Sequence, residues 1–401
     1  MTLKFSNRLL PHVPPVLCLI VFLILSVPAA RAQCQTTTAA IPPGDSFHML
    51  VLGDSVMWGQ GLRDEEKFSS RLKCWLEEKI NRQVSVHVEA HSGAVVSAVS
   101  NEPTGFVTSD GEVNRSTPTI NRQLDQAIQF YQNVHASPSL ILMDGCINDV
   151  GVKNLLSAST PLEWIRAQAA RSCGEDMQLL LRRVSSSFPQ SQILVTSYYP
   201  IVSSQTDDNA FLRLLVKKLN NQRPEARRMT DKEMRQHLIA ISDEWYKTST
   251  ASLIEAVAKT NADASVPRVT FVEIQFGAEH VFAAPDTLLW NFMFASTNTS
   301  GFARIVVLLS FGTAAYKTND HVRETRIKSC EQVYKKPKGV KEDKDRKHAR
   351  EDLFLICRYA SLGHPNQMGA LIYTEAIKGH LRQLIDKAGW KREHDNHLTL
   401  K

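Results

Sequence analysis

Gly53-Asp54-Ser55 closes the apolar run Met49-Leu50-Val51-Leu52 and opens Val56-Met57-Trp58-Gly59-Gln60-Gly61-Leu62. A serine leaving a buried strand, ahead of a glycine-containing loop and a helix, is well placed to be a nucleophile. Its own N–H and a helix N-terminus can face an incoming oxyanion. The same tripeptide is also good turn chemistry, so Ser55 needs a partner: a general base within hydrogen-bond reach. Among the 13 histidines the best placed is His364, in Ser361-Leu362-Gly363-His364-Pro365-Asn366-Gln367-Met368-Gly369. Pro365 holds the preceding residue off helical backbone, and Pro365 or Asn366 can begin the next helix. His364 then sits on a short loop ahead of a helix, a seat suited to a catalytic imidazole.

The elements that must position these residues are legible as alternating runs. Five β-branched, apolar stretches read as strands: His48–Gly53, Val84–Ala90, Ser139–Gly145, Gln192–Ser197 and Arg268–Ile274. Helical apolar spacing marks Glu65–Ile80, Thr119–Asn133, Pro161–Ser186, Asn209–Asn220, Lys232–Lys259 and Asn366–Ala388. Strands alternating with helices predict a central parallel sheet of about five strands, covered on both faces, in a three-layer α/β/α flavodoxin-like fold. Ligands of such sheets bind beyond the carboxyl ends of the strands. Ser55, Gly93, Asn148 and Tyr198-Tyr199-Pro200 all fall just past predicted strand ends and should converge on one edge.

A second region, about 276–350, breaks this rhythm and reads as an insertion or cap. It opens with Phe276, Phe282, Trp290, Phe292 and Phe294, suited either to a lid over the cleft or to ordinary packing. It ends in Lys335-Lys336-Pro337-Lys338 and the mixed run Lys341–Lys347, read as a solvated loop.

Of the 401 residues, 43% are hydrophobic and 22% charged, which makes a globular chain with a full core. Residues 1–32 read as a signal peptide: basic Lys4 and Arg8, an apolar stretch over Val16–Val27, and Ala30-Arg31-Ala32 as a small-x-small cleavage site. Residues 33–401 would then form one domain, secreted or periplasmic, with no membrane span and as a monomer. Net charge is +6, falling to about +3 without the leader, which argues against nucleic acid as a partner. Six cysteines remain, and an even count in an exported chain suggests disulfides. Proximity in sequence favours Cys146–Cys173 and Cys330–Cys357, with Cys34–Cys74 the remainder, or some as buried thiols. Asn114 and Asn298 lie in glycosylation acceptor triplets.

Gly53-Asp54-Ser55, Gly93, Asn148-Asp149 and His364-Pro365-Asn366, in this order, resemble the SGNH (GDSL-type) hydrolase superfamily, over nearly the whole mature chain. The resemblance implies Ser55 as nucleophile and His364 as the base that takes its proton. It implies an oxyanion hole made by the N–H of Ser55, the N–H of Gly93 and the side-chain amide of Asn148. No cofactor and no metal follow from it. Two positions depart from the family pattern. Its third block is usually Gly-x-Asn-Asp, but here Gly145 stands three residues before Asn148. The aspartate usually found three residues before the histidine is Ser361. A Ser-His dyad is therefore expected, its imidazole oriented by the carbonyl or hydroxyl of Ser361, or by a distant carboxylate such as Asp352. His87, Glu89 and His91 alternate onto one face of a strand, but strand-edge contacts account for them without metal spacing.

These residues point to a secreted esterase or lipase-like hydrolase acting on small-molecule, acyl or lipid esters. The alternatives are a carbohydrate acetyl esterase, or a non-catalytic carbohydrate- or surface-binding protein on the same scaffold.

Overall fold

Five parallel strands carry the molecule: β1 (Phe47–Leu52), β2 (Val84–Val88), β3 (Leu140–Met143), β4 (Gln192–Thr196) and β5 (Val269–Val272). Their order is β2-β1-β3-β4-β5, the three-layer arrangement expected from the alternating pattern. β1 lies between β2 and β3, with Val51 opposite Val88 on one side and Leu52 opposite Met143 on the other. β3 (LILM) and residues 49–52 are fully buried, as a strand covered on both faces requires. The computed structural model describes residues 46–97, 102, 108–109, 112–114, 118–208, 216, 220, 224–293, 317–335 and 343–391. All of them fall within one compact unit, Ile41–Lys401. The leader, Cys34, Phe294, Asn298 and most of the expected helix Asn209–Asn220 lie outside the described residues.

The short helix α1 (Ser55–Trp58) comes directly after β1. α2 (Phe68–Ile80), α3 (Ile120–Asn133) and α4 (Ile147–Val150) come next. α5 runs over Leu162–Ala169, a π-helical segment Ala170–Asp176 and Met177–Ser187. α6 (Asp231–Ala262) is the longest, and its Thr230–Glu233 capping box fixes where it starts. It packs along α5, with Trp245 fully buried.

Among its described residues, the segment from about 276 holds a two-stranded ladder, β6 (Phe292–Met293) with β7 (Lys317–Thr318), and the helix α7 (Arg323–Val333), and it leads into α8 (Lys344–Arg358). Contrary to the expectation of a solvated loop, Lys344–Lys347 is the first turn of α8. It is capped by Asp343, whose carboxylate accepts the N–H of Arg346 at 2.8 Å. Basic residues at a helix N-terminus oppose the macrodipole, which hides such a helix from sequence reading. A small separate core of Val113, Cys330 and Cys357, with Val333, Tyr334 and Phe354 against it, holds α7 to α8. The disulfides Cys146–Cys173 and Cys330–Cys357 are both present. Phe276, Trp290 and Phe292 are packed rather than spread as a lid, Phe276 stacking on Tyr199 at 5.0 Å; Phe282 alone of these aromatics also lines the cleft. The final helix, α9 (Gln367–Lys387), begins at Asn366, whose Oδ1 accepts the N–H groups of Met368 and Gly369 at 2.9 and 3.1 Å.

Candidate active site

At the carboxyl edge of β1, Gly53 has a positive φ of 140°, and a Cβ there would lie 2.0 Å from Asp144 Oδ1. Glycine is thus required for the chain to turn against β3. Gln123 locks this residue from α3, taking its N–H and donating to its carbonyl, each at 2.8 Å. Asp54 then caps α1 through a bond from the N–H of Val56 at 2.9 Å, while Tyr198, past the end of β4, donates its hydroxyl to the second oxygen. Ser55 is the first helical residue, and its N–H has no intrahelical acceptor.

Next to Ser55 in the chain, Asp54 lies close to a second buried carboxyl, Asp144, and neither forms an ion pair among the described residues. The N–H of Asp54 donates to Asp144 Oδ1 at 2.8 Å. Burial pushes Asp54 up to about 6 despite the Tyr198 bond, and pushes Asp144 well above the usual carboxylate range, with the Asp54 charge adding to it. Burial and the nearness of the two groups both disfavour a second negative charge on this pair.

The structure brings Ser55 and His364 together, with Nε2 2.7 Å from Oγ. They line one cavity of about 810 Å³ along with Gly93 and Asn148. Gly93 has a φ of 83°, open to glycine. Asn148 spends one amide hydrogen on the carbonyl of Ala94 at 2.9 Å, which leaves the other. Asp149, adjacent to it, accepts the N–H groups of Val96 and Ser97, both at 2.9 Å, so α4 and the Gly93 loop are clamped together. Cys146 stands where the family pattern has glycine, and its φ is 102°, a conformation that favours glycine. Its disulfide to Cys173 anchors it there. The departure noted in the sequence thus falls on the residue that carries the unusual backbone.

The histidine loop is held both by the 276–350 segment and from the end of β4. Trp290 exchanges main-chain bonds with it, its N–H donating to the His364 carbonyl at 2.8 Å and its carbonyl accepting from Gly363 at 3.1 Å. The Tyr199 hydroxyl donates to the Gly363 carbonyl at 2.8 Å. Nδ1 of His364 is buried with no acceptor in hydrogen-bond geometry among the described residues. The main-chain carbonyls of Ser361 and Leu362 are the nearby groups that most favour the charged ring; burial outweighs them and pushes the imidazole down to about 4. The hydroxyl of Ser361 does not serve the imidazole, contrary to one half of the expectation. It donates to Asp320 at 2.7 Å. Asp352 is exposed on α8, so the buried carboxylate near this loop is Asp320, which sequence reasoning did not single out. Only the polar neighbourhood of Thr318, Asp320 and Arg326 could have marked it.

The remaining wall is mostly apolar: Ile201, Val202, Met234, Leu238 and Phe282 on the α6 side, Leu353 and Ile356 on the α8 side. His87 pairs with Glu89 at 2.8 Å and stacks on Phe130, while the N–H of His91 donates to the Gly53 carbonyl at 3.2 Å.

No family model matches the chain, and no curated protein matches it by sequence. Among solved structures it is similar to a lipase from a goat rumen metagenome, at 17% identity over 60% of this chain and 88% of that one, with a TM-score of 0.35. It is also similar to phospholipase A1 from Streptomyces albidoflavus, at 16% identity over 63% and 91%, TM-score 0.35. A third is a carbohydrate esterase family 2 enzyme from Corynascus thermopiles, at 15% identity over 62% of each chain, TM-score 0.33. The fold is the three-layer α/β/α arrangement that the resemblance to SGNH hydrolases implies, and Ser55, Gly93, Asn148 and His364 line one cavity.

Proposed function

We propose that the protein is a serine ester hydrolase. The single observation that carries this reading is the 2.7 Å contact of His364 Nε2 with Ser55 Oγ at the bottom of an apolar cleft. Ser55 Oγ attacks the ester carbonyl as His364 Nε2 takes its proton. The N–H groups of Ser55 and Gly93 and the free amide hydrogen of Asn148 receive the oxyanion. His364 returns the proton to the departing alkoxide, leaving an acyl-Ser55. Water, deprotonated by His364, then releases the acid and restores Ser55. The cleft is of a size to hold a drug-sized or acyl ligand, and its apolar walls favour acyl or lipid esters over acetylated sugars. Two disulfides fit an exported protein in an oxidising compartment.

One observation favours a second reading, a non-catalytic binding protein: Nδ1 of His364 has no acceptor among the described residues. Turnover of aryl esters of acetate, butyrate and octanoate separates the two. The hydrolase reading expects turnover that rises with acyl length and vanishes in His364→Ala. Absence of turnover on every ester, with the chain folded, supports the binding protein instead.

A further inference from the structure

The segment after β7 carries a buried ion pair with no evident stabilising purpose. Asp320 and Arg326 are paired with both side chains wholly inaccessible. Asp320 Oδ2 also accepts from the hydroxyls of Thr318 and Ser361. Arg326 Nη2 donates to Ser361 Oγ at 3.0 Å and lies 3.4 Å from Thr318 Oγ1. Yet Arg326 Nε and Nη1 and Asp320 Oδ1 have no partners among the described residues. A buried pair left partly unsatisfied costs more than a well-packed apolar replacement would, so stability does not explain it.

Position does. Both partners of the pair bond to Ser361, three residues before His364, where the family pattern carries its aspartate. Ser361 is fully buried, and its carbonyl accepts the main-chain N–H of His364 at 3.0 Å. That carbonyl is also the nearby group that most favours the protonated ring. Arg326 and Asp320 are the charged groups facing the imidazole, with opposing effects. We infer that Asp320, paired with Arg326 and acting through Ser361, replaces the missing triad aspartate as a positioning residue for His364. The carboxylate has moved out of contact with the imidazole, and its charge is neutralised by Arg326. It fixes the loop and its carbonyl without a direct ionic contact to the ring. A direct partner would add charge stabilisation of the imidazolium; here the effect of the Asp320 charge on the ring is opposed by that of Arg326, and positioning is the main contribution.

The inference rests on the hydrolase reading, and its test keeps the two apart. The full chain is assayed on a soluble aryl ester as wild type, Asp320→Asn, Ser361→Ala and the double variant Asp320→Asn/Ser361→Asp, with melting followed by circular dichroism. Asp320→Asn and Ser361→Ala should each lower kcat about 10- to 100-fold with little change in KM, the loss typical of outer-shell partners of a functional histidine. The double variant returns a carboxylate to position 361. It should recover kcat to within about 3-fold of wild type and move the acid limb of the kcat/KM profile upward by about one pH unit or more. If Asp320→Asn fails to fold, Ser361→Ala, which deletes only a hydroxyl, carries the test. Wild-type kcat in folded Asp320→Asn or Ser361→Ala overturns the inference. So does a loss matched by the unfolded fraction alone, or a double variant whose acid limb stays in place. Wild-type protein with no ester turnover sinks the hydrolase reading itself; wild-type turnover with unaffected variants sinks only this inference.

Discussion

The two sides of the cleft are built by different means. Ser55, Gly93 and Asn148 are fixed by the parallel sheet: each comes after a strand, and Gln123, Asp54 and Asp149 tie their loops with bonds to main-chain N–H groups. His364 is fixed mainly by the 276–350 segment, through Trp290 and the Asp320–Arg326 pair that bonds to Ser361, with Tyr199 past β4 adding a bond to Gly363. A strand end holds a catalytic residue through the register of the whole core. A loop braced by a neighbouring segment depends on a few buried polar contacts, so its precision is more easily lost.

The largest effect expected on either side is from the reacting groups. Ser55→Ala and His364→Ala should each reduce ester turnover by roughly 10⁴-fold or more, measured as kcat on a soluble aryl ester, and the double variant should lose little further. Unequal or additive losses would break the picture of one unit spanning both sides. Asn148→Ala should cost about 10²- to 10³-fold in kcat, the usual worth of one oxyanion donor. A smaller loss would mean that the bond to Ala94 is its whole role.

The backbone of Cys146 sharpens the comparison further. Removing the disulfide as Cys146→Ala/Cys173→Ala forces a φ of 102° on alanine, a conformation costing about 1–3 kcal/mol. Cys146→Gly/Cys173→Ala removes the same tether without that strain. The glycine variant should keep activity closer to wild type than the alanine variant does. Equal activities would show that the conformation of residue 146 is immaterial to Asn148.

Legibility in the sequence divides along the same line. All five strands and the helices that cover them were readable, because burial on both faces writes itself as apolar runs and helical spacing. Ser55 and His364 stood out from their own surroundings, a strand exit and a loop that Pro365 sets ahead of a helix, whereas Gly93 and Asn148 were singled out by the family resemblance of their order along the chain. The folding of the 276–350 segment was not readable. Its helices begin with Arg323 and Lys344, against the dipole preference, and its separate core rests on a disulfide rather than an apolar stripe. Asp320 and Arg326 act across 41 and 35 positions from Ser361, and no local pattern announces such a contact. Asp144 looked like the end of a strand, and only its packing against Asp54 shows a buried carboxyl pair.

That pair predicts the smallest effect, on stability. Asp54 and Asp144 both have folded pKa values above their unfolded ones, Asp54 at about 6. Their contribution is fully present below the ordinary aspartate range near pH 4; that of Asp54 is lost as pH rises through about 6, and that of Asp144 as pH rises through its own raised value. Asp144→Asn removes one titrating group and leaves an amide oxygen for the N–H of Asp54. It should stabilise the fold by about 1–3 kcal/mol at pH 8 and by little at pH 4, read from urea unfolding at both. A gain equal at both pH values would place the effect in packing instead. The histidine side has its own pH signature. With the imidazole at about 4, the base stays neutral and competent well below the usual histidine range. The acid limb of kcat/KM should lie near pH 4 to 5. A limb near 6.5 would show that the loop is more open to water than its packing implies.

The central claim is that Ser55 is a nucleophile activated by His364. Covalent labelling of the folded chain with a fluorophosphonate, then peptide mapping, tests it most directly. The account predicts one adduct, on Ser55, formed at a rate that falls by orders of magnitude in His364→Ala. An adduct elsewhere, no adduct at all, or a Ser55 adduct that forms as fast without His364 would contradict it.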